Sequence, residues 1–172
     1  MYEKQKIKVA LLVFVIILIG ISYNVFITRS IPALRFLSQG KTVVIDPGHG
    51  TIDKGAVHEA TGVAESPINL AVALELEKLL KSGNFNVVLT RDKDTVEMDT
   101  NHKELQRRID LATKSKADIL VSIHANKFPD PQYFGAQCFY NPQRPESKLL
   151  ALLIQEELKN IDSENIREAL PQ

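Results

Sequence analysis

The chain has 172 residues, enough for one domain and a short appendage, and 44% of them are hydrophobic, which suits a globular protein with a real core. Lysine plus arginine equals aspartate plus glutamate at 21 each, so there is no basic surplus of the kind that nucleic-acid binding usually needs, and no nucleic-acid partner is expected. A single cysteine, Cys138, excludes an intrachain disulfide framework, and its strand-like surroundings (Gln137-Cys138-Phe139-Tyr140) favour a packed thiol over a reactive one.

Lys4, Lys6 and Lys8 precede an uncharged run from Val9 to Thr28. A helix of about 20 apolar residues is long enough to cross a hydrocarbon core of about 30 Å. Residues 1–28 therefore read as a retained membrane anchor. A cleaved signal is the alternative, although Gly20-Ile21-Ser22 is a weak cleavage pattern. The basic flank places the N-terminus in the cytoplasm and the remainder on the external face of the membrane. Residues 29–40, with Pro32 and Gly40, read as a linker, and a folded domain is expected over 41–172.

Thr42 to Asp46 is a β-branched run ended by Pro47-Gly48, hence a buried strand. A glycine-rich loop runs from Gly48 to Gly62. Ser66-Pro67 opens a helix, with serine as cap and proline at the first helical position. Ile68, Ala71, Val72, Leu76, Leu79 and Leu80 are its expected core face, and Gly83 its stop. Asn86 to Thr90 is a second strand. Asn101 with Glu104 resembles a capping box for a helix through Lys114, with Leu105, Ile109 and Ala112 on one side. Asp118 to Ile123 is a third strand, apolar enough to be buried on both faces. Ala136 to Tyr140 is a fourth. Pro145 to Ile161 is a last helix with Leu149, Leu150, Leu153, Ile154 and Leu158 inward. Strands alternating with helices predict an α/β fold with a mostly parallel sheet flanked by helices.

Two histidines occupy equivalent places. His49 follows the first strand in Asp46-Pro47-Gly48-His49-Gly50, and His124 follows the third in Ser122-Ile123-His124-Ala125-Asn126. Ligands of open α/β sheets bind beyond the carboxyl ends of the strands, where both imidazoles would point. A catalytic zinc site takes three N/O ligands and leaves one position for water. Glu59 and Glu65 are the carboxylate candidates near that end, and Glu65 just before a helix is equally at home as a plain capping or dipole residue. A site with two metals and several aspartates, as in metallophosphoesterases, lacks its residues here.

Four ordered blocks carry a resemblance: Val43 to Gly50 (VVIDPGHG), Gly62 to Leu70 (GVAESPINL), Leu89 to Asp92 (LTRD) and Ser122 to Asn126 (SIHAN). Over about residues 41–140 the chain resembles the zinc-dependent N-acetylmuramoyl-L-alanine amidases of the amidase-3 family. Arg108 through Ala112 is similar to that family's arginine helix. Within the family, the short N-terminal segment and the lack of wall-binding repeats make the chain most similar to the membrane-anchored, germination-specific amidases that act on spore cortex peptidoglycan.

The resemblance implies a zinc exopeptidase-like sheet with His49, Glu65 and His124 as zinc ligands. It also implies hydrolysis of the amide between N-acetylmuramic acid and L-alanine of the stem peptide. Peptidoglycan is then the partner, with an accessory protein as a further expectation, and the domain lies outside the membrane or in the forespore–cortex space. Asp46 is a candidate for orienting a zinc-bound histidine or for capping its own loop, with Asn126 in a similar position. Arg91 and Arg108 either recognise peptide carboxylates or pair with acids inside the fold, the latter being favoured. His58 and His102 read as surface residues.

Family members usually carry a second glutamate in a Glu-x-Gly-Phe block after a late strand, with an implied role as general base. The 172 residues hold no such block. Glu156, Glu157, Glu164 and Glu168 on or near the last helix read as solvated surface. The C-terminal strands are accordingly expected to be missing. The rival expectation is an inactive, amidase-derived protein that binds peptidoglycan or regulates.

Overall fold

The computed structural model describes residues 38–50, 53–95, 100–127 and 134–172. The expected anchor and nearly all of the linker lie outside the described residues. Among the described residues, no helix is long and apolar enough to cross a membrane.

The described chain forms two compact units that divide between Asn126 and Lys127. The first holds strand β1 (Thr42–Pro47), helix α1 (Glu65–Ser82), strand β2 (Asn86–Leu89), helix α2 (Asn101–Lys114) and strand β3 (Ile119–Ile123). The strands run parallel in the order β2-β1-β3. Register pairs Val43 with Val87 and with Ile119, and Pro47 with Ile123. The β-branched run of β1 suits this central place, since hydrogen-bonded neighbours flank it and side chains cover both faces. Val43, Val44 and Ile45 are accordingly buried. Each such side chain contributes roughly 1.5–3 kcal/mol by leaving water. Val43, Ile45 and Ala73 are the centre of the core, joined by Leu76, Leu80, Phe85, Val87, Leu89, Ile119, Val121 and Ile123.

The expected burial of β3 on both faces does not hold: Leu120 is 59% exposed. The described sheet ends at β3, so only one of its sides is covered by a strand.

Helix α1 packs on the sheet through Asn69, Ala73, Leu76 and Leu80, a stripe spaced four, three and four residues apart. The expected face was rotated from this one: Ile68, Ala71, Val72 and Leu79 are exposed. The turn towards the sheet is set by Asn69, whose amide is fully buried because two acceptors wait for it inside. Ser66 is not the cap either. Ala64 precedes the first turn without a side-chain bond, and the Ser66 hydroxyl donates to Asp94. The stop is shared, because Gly83 donates to the carbonyls of Leu79 and Leu80 while Asn84 takes the left-handed conformation (φ 65°).

In α2 the cap is Thr100, whose side chain accepts from Lys103 N–H, rather than Asn101. Its inward residues are Glu104 and Arg108, and Leu105 and Ile109 face solvent. The reason is a charged network: Arg108 donates to Asp46 and Glu104, and Arg107 to Glu104 and the Thr90 carbonyl. Burying these charges together satisfies each of them.

The second unit holds strand β4 (Phe139–Tyr140), helix α3 (Pro145–Ile161) and strand β5 (Leu170–Pro171). Strands β4 and β5 pair in parallel. Ala151 and Gln155 are the buried residues of α3, whereas Leu149, Leu153 and Ile154 are exposed against expectation. Gln155 is drawn in because it accepts from Cys138 N–H (2.8 Å) and donates to the Ala136 carbonyl (3.1 Å). Burial pushes the Cys138 thiol pKa up, so a packed, unreactive thiol fits this place. Glu156, Glu157, Glu164 and Glu168 are exposed.

Candidate metal centre

β1 and β3 are neighbours in register, so the residues just past them meet. The Gly48 N–H donates to the Ile123 carbonyl (2.9 Å), which brings the loop after β1 against the end of β3. His49 and His124 then pack edge to face, with ring centroids 4.8 Å apart and planes at 84°. Glu65 opens α1 beneath them. The turn reaches it through two backbone bonds, Glu65 N–H to the Ala56 carbonyl and Ser66 N–H to the Lys54 carbonyl.

One oxygen of Glu65 is the meeting point. Its Oε1 lies 3.3 Å from His49 Nε2 and 3.1 Å from His124 Nδ1. The same oxygen accepts from the Ala125 N–H (2.9 Å) and Asn69 Nδ2 (3.3 Å), while Oε2 accepts from the Ala56 N–H (3.0 Å). Burial by itself raises the Glu65 pKa. The bonds from Ala56, Asn69 and Ala125, with the nearby His49, outweigh it and hold the carboxyl below the usual glutamate range. The buried group is therefore an anion, ready to act as a ligand.

The donor set fits a zinc ion. Ligands at about 2.0–2.1 Å from a tetrahedral metal stand roughly 3.3 Å from one another. The two histidine–glutamate separations, 3.3 and 3.1 Å, meet that spacing. His49, Glu65 and His124 form the metal-capable cluster found among the described residues, with donor atoms all within 4.8 Å of each other. Glu59, the other carboxylate considered, is exposed and stands outside it.

Two glycines leave the room this needs. A Cβ on Gly48 would sit 2.3 Å from His124 Cε1, and one on Gly55 would sit 2.5 Å from His49 Cδ2 and 2.8 Å from Glu65 Oε2. Gly55 also takes a positive φ of 67°, which a side chain would strain. His49 itself adopts φ 63°, a conformation uncommon outside glycine and often found at functional sites.

Both arginines face inward. Arg91, almost fully buried, donates from Nε to the Pro47 carbonyl and from Nη2 to the carbonyls of Gly48 and Ser66, each at 2.9 Å. Arg108 donates from Nη1 to the Pro47 carbonyl (2.8 Å) and from Nη2 to that of His49 (2.5 Å). Buried carbonyls of an irregular loop need such donors. Their partners are loop carbonyls and internal acids. Asp46 accepts from Thr90 Oγ1 (2.6 Å), Arg108 Nη1 (3.0 Å) and Ser122 Oγ (2.9 Å), so its carboxylate ties strand ends together and does not orient an imidazole. Asn126 is exposed beyond β3. His58 bonds Thr61 in an exposed turn, and His102 is exposed at the start of α2.

Three residues of the site escaped the sequence reading. Asp53 Oδ2 lies 2.9 Å from His49 Nδ1, a contact for which Asp46 was one candidate. Asn69 holds Glu65 and the Gly48 carbonyl together, and its position one helical turn after Glu65 was the available signal. Gly55 had no signal beyond lying in a glycine-rich loop.

A family model described as N-acetylmuramoyl-L-alanine amidase matches residues 43–171. The germination-specific N-acetylmuramoyl-L-alanine amidase of Bacillus subtilis strain 168 is 32% identical over 167 residues, covering 92% of this chain and 70% of that protein. An uncharacterized cell wall amidase of Bacillus anthracis is 38% identical over 129 residues, covering 70% of this chain and 24% of that protein. The chain thus spans from about a quarter to about seven tenths of these relatives. Among solved structures, the CwlD amidase from Clostridioides difficile, in complex with the GerS lipoprotein, is similar with a TM-score of 0.71 at 37% identity, covering 77% of this chain and 73% of that one.

Proposed function

The chain belongs to the amidase-3 family of N-acetylmuramoyl-L-alanine amidases, and on that premise we propose that it hydrolyses the amide between N-acetylmuramic acid and L-alanine of peptidoglycan stem peptides with zinc held by His49, Glu65 and His124. The observation that carries this reading is the single Glu65 oxygen set between two imidazole nitrogens at metal-ligand spacing. When bound there, zinc supplies Lewis acidity toward a carbonyl and activates water at neutral pH, which an unreactive amide requires.

The chain's own residues prepare the place. Arg91 and Arg108 hold the carbonyls of the loop that carries His49. Gly48 and Gly55 let the backbone approach the rings closely. Glu65, kept ionised by its hydrogen bonds, supplies the negative charge of the ligand set.

We assign the substrate to spore cortex peptidoglycan, and the germination-specific name of the relative matched over 92% of this chain supports a role in germination. The solved complex of a similar amidase with a lipoprotein supports an accessory protein of that kind as partner. The apolar run from Val9 to Thr28 supports anchoring at the external face of the membrane.

Incubating the full chain with cortex peptidoglycan and zinc, with and without such a lipoprotein, tests the reading by muropeptide analysis. Stem peptides released by the wild type and absent with His49→Ala are expected. Stoichiometric zinc without released peptides would favour the alternative, a peptidoglycan-binding or regulatory protein derived from such an amidase. No zinc at all would sink both the metal assignment and the hydrolysis.

A further inference from the structure

An imidazole can offer a metal only one lone pair, and a neutral ring has two tautomers to choose from. His49 shows both nitrogens engaged in different directions: Nε2 faces Glu65 Oε1 at 3.3 Å, and Nδ1 faces Asp53 Oδ2 at 2.9 Å. An ionised carboxylate only accepts, so the Nδ1 atom hydrogen-bonded to Asp53 carries the proton, whereas Nε2 approaches Glu65 Oε1 without a hydrogen bond and keeps its lone pair. We propose that Asp53 is a positioning residue that fixes His49 as the Nδ1–H tautomer and so dedicates Nε2 to the metal. This inference rests on the zinc reading given above.

The local backbone is built around that contact. Asp53 Oδ1 accepts the Gly55 N–H at 2.9 Å, and the Asp53 carbonyl accepts the Gly50 N–H at 2.8 Å. Asp53 thereby ties Gly50 and Gly55 together, and His49 and Gly55 are both left-handed, with φ 63° and 67°. Arg108 fixes the His49 carbonyl from the other side. The ring is thus held at its backbone, at Nδ1 and through packing against His124.

Both oxygens of Asp53 are used, one for Gly55 N–H and one for His49 Nδ1. This makes Asp53→Asn a sharp test, because asparagine keeps the shape but has a single acceptor oxygen. It must give up one of the two donors. If its amide nitrogen turns to His49, it donates to Nδ1 and drives the proton onto Nε2, the wrong nitrogen for the metal. Carboxylates behind metal-bound histidines are typically worth 10–100-fold in metal affinity, and a loss of that size is expected.

The experiment is competition between the full chain and a chelator for Zn²⁺, comparing wild type, Asp53→Asn and His49→Ala, with thermal unfolding of each metal-free chain alongside. Support is a 10–100-fold weaker Asp53→Asn whose metal-free melting stays close to wild type. Wild-type affinity in Asp53→Asn, with binding abolished in His49→Ala, overturns the role of Asp53 and leaves the zinc site standing. Failure of the wild type to bind zinc overturns the underlying reading instead. Should Asp53→Asn fail to fold, nitrogen-15 imidazole spectra of the zinc-loaded wild type decide the matter. A proton on His49 Nδ1 with metal at Nε2 upholds the inference, and metal at Nδ1 overturns it.

Discussion

His49 and His124 follow hydrogen-bonded neighbours of one sheet and face the same carboxylate oxygen, yet the chain holds them by different means. The loop after β1 is over-determined. Arg91 and Arg108 take its carbonyls, Asp53 takes the ring, and the backbone is held left-handed at His49 and Gly55. The end of β3 is looser. The His124 side chain is 40% exposed against 21% for His49, and its polar contact is with Glu65. An irregular loop must be given hydrogen-bond partners one by one, whereas a residue one step past a strand inherits its place from the ladder. Loss of the arginine or glycine supports of the first loop's backbone should therefore cost folding, and pressure on the His124 ring should cost mainly metal affinity.

The largest effect is expected from Arg108→Ala. It removes one donor each from Asp46, Glu104 and the Pro47 carbonyl, and takes from the His49 carbonyl the Arg108 donor that holds it. Removing one partner of a buried ion pair typically costs about 3–5 kcal/mol. Urea unfolding of the metal-free chain measures it, and a loss below about 1 kcal/mol would show that the first loop is not held from this side.

A paired glycine experiment cuts more finely. Gly55→Ala strains a positive φ and presses on His49 and Glu65, for which about 1–3 kcal/mol is expected, together with loss of zinc. Gly48→Ala presses on the ring of His124, which has solvent to swing into. It should cost less stability than Gly55→Ala while still weakening zinc binding. Equal stability losses would break the asymmetry between the two loops.

Acid should act on the first loop through its carboxylates. Glu65, despite burial, is held below the ordinary 4.5 by Ala56, Asn69 and Ala125, and Glu104 by Arg107 and Arg108. Asp53 is held below 3.8 by the Gly55 N–H and by His49. A carboxylate with a depressed folded-state pKa stabilises the fold above its ordinary value and loses that contribution as pH falls through the folded value. Melting of the metal-free chain should therefore be flat with pH above these ordinary values and fall progressively below them. Glu65→Gln should make the fall shallower, as read by circular dichroism.

The smallest effect belongs to Asn126→Ala. The residue is exposed beyond β3, so stability should stay within about 0.5 kcal/mol and zinc affinity should not move. A tenfold loss of affinity in the same chelator competition would reveal that the end of β3 is held more tightly than described.

Much of the first unit could be read without coordinates. The β-branched run 42–46, the alternation of strands and helices, and two histidines at strand ends all follow from local chemistry. What misled was side-chain direction. Apolar counting on α1 chose Ile68, Val72 and Leu79, because asparagine scores as outward. On α2 it chose Leu105 and Ile109, because glutamate and arginine score the same way. In both helices a buried polar residue with waiting partners decided the rotation. The same blindness left Asp46 a candidate partner of a histidine, beside capping its own loop.

By itself the sequence determined the parallel strand–helix order and the ordered blocks that carry His49, Glu65 and His124, because period, turn residues and residue spacing are properties of the chain. Only the tertiary structure decided which carboxylate serves which partner. Asp46 went to Arg108 and Asp53 to His49 because the register of β1 with β3 and the left-handed backbone at His49 set where each side chain can reach. Those distances arise between residues up to 62 positions apart, and no local pattern encodes them.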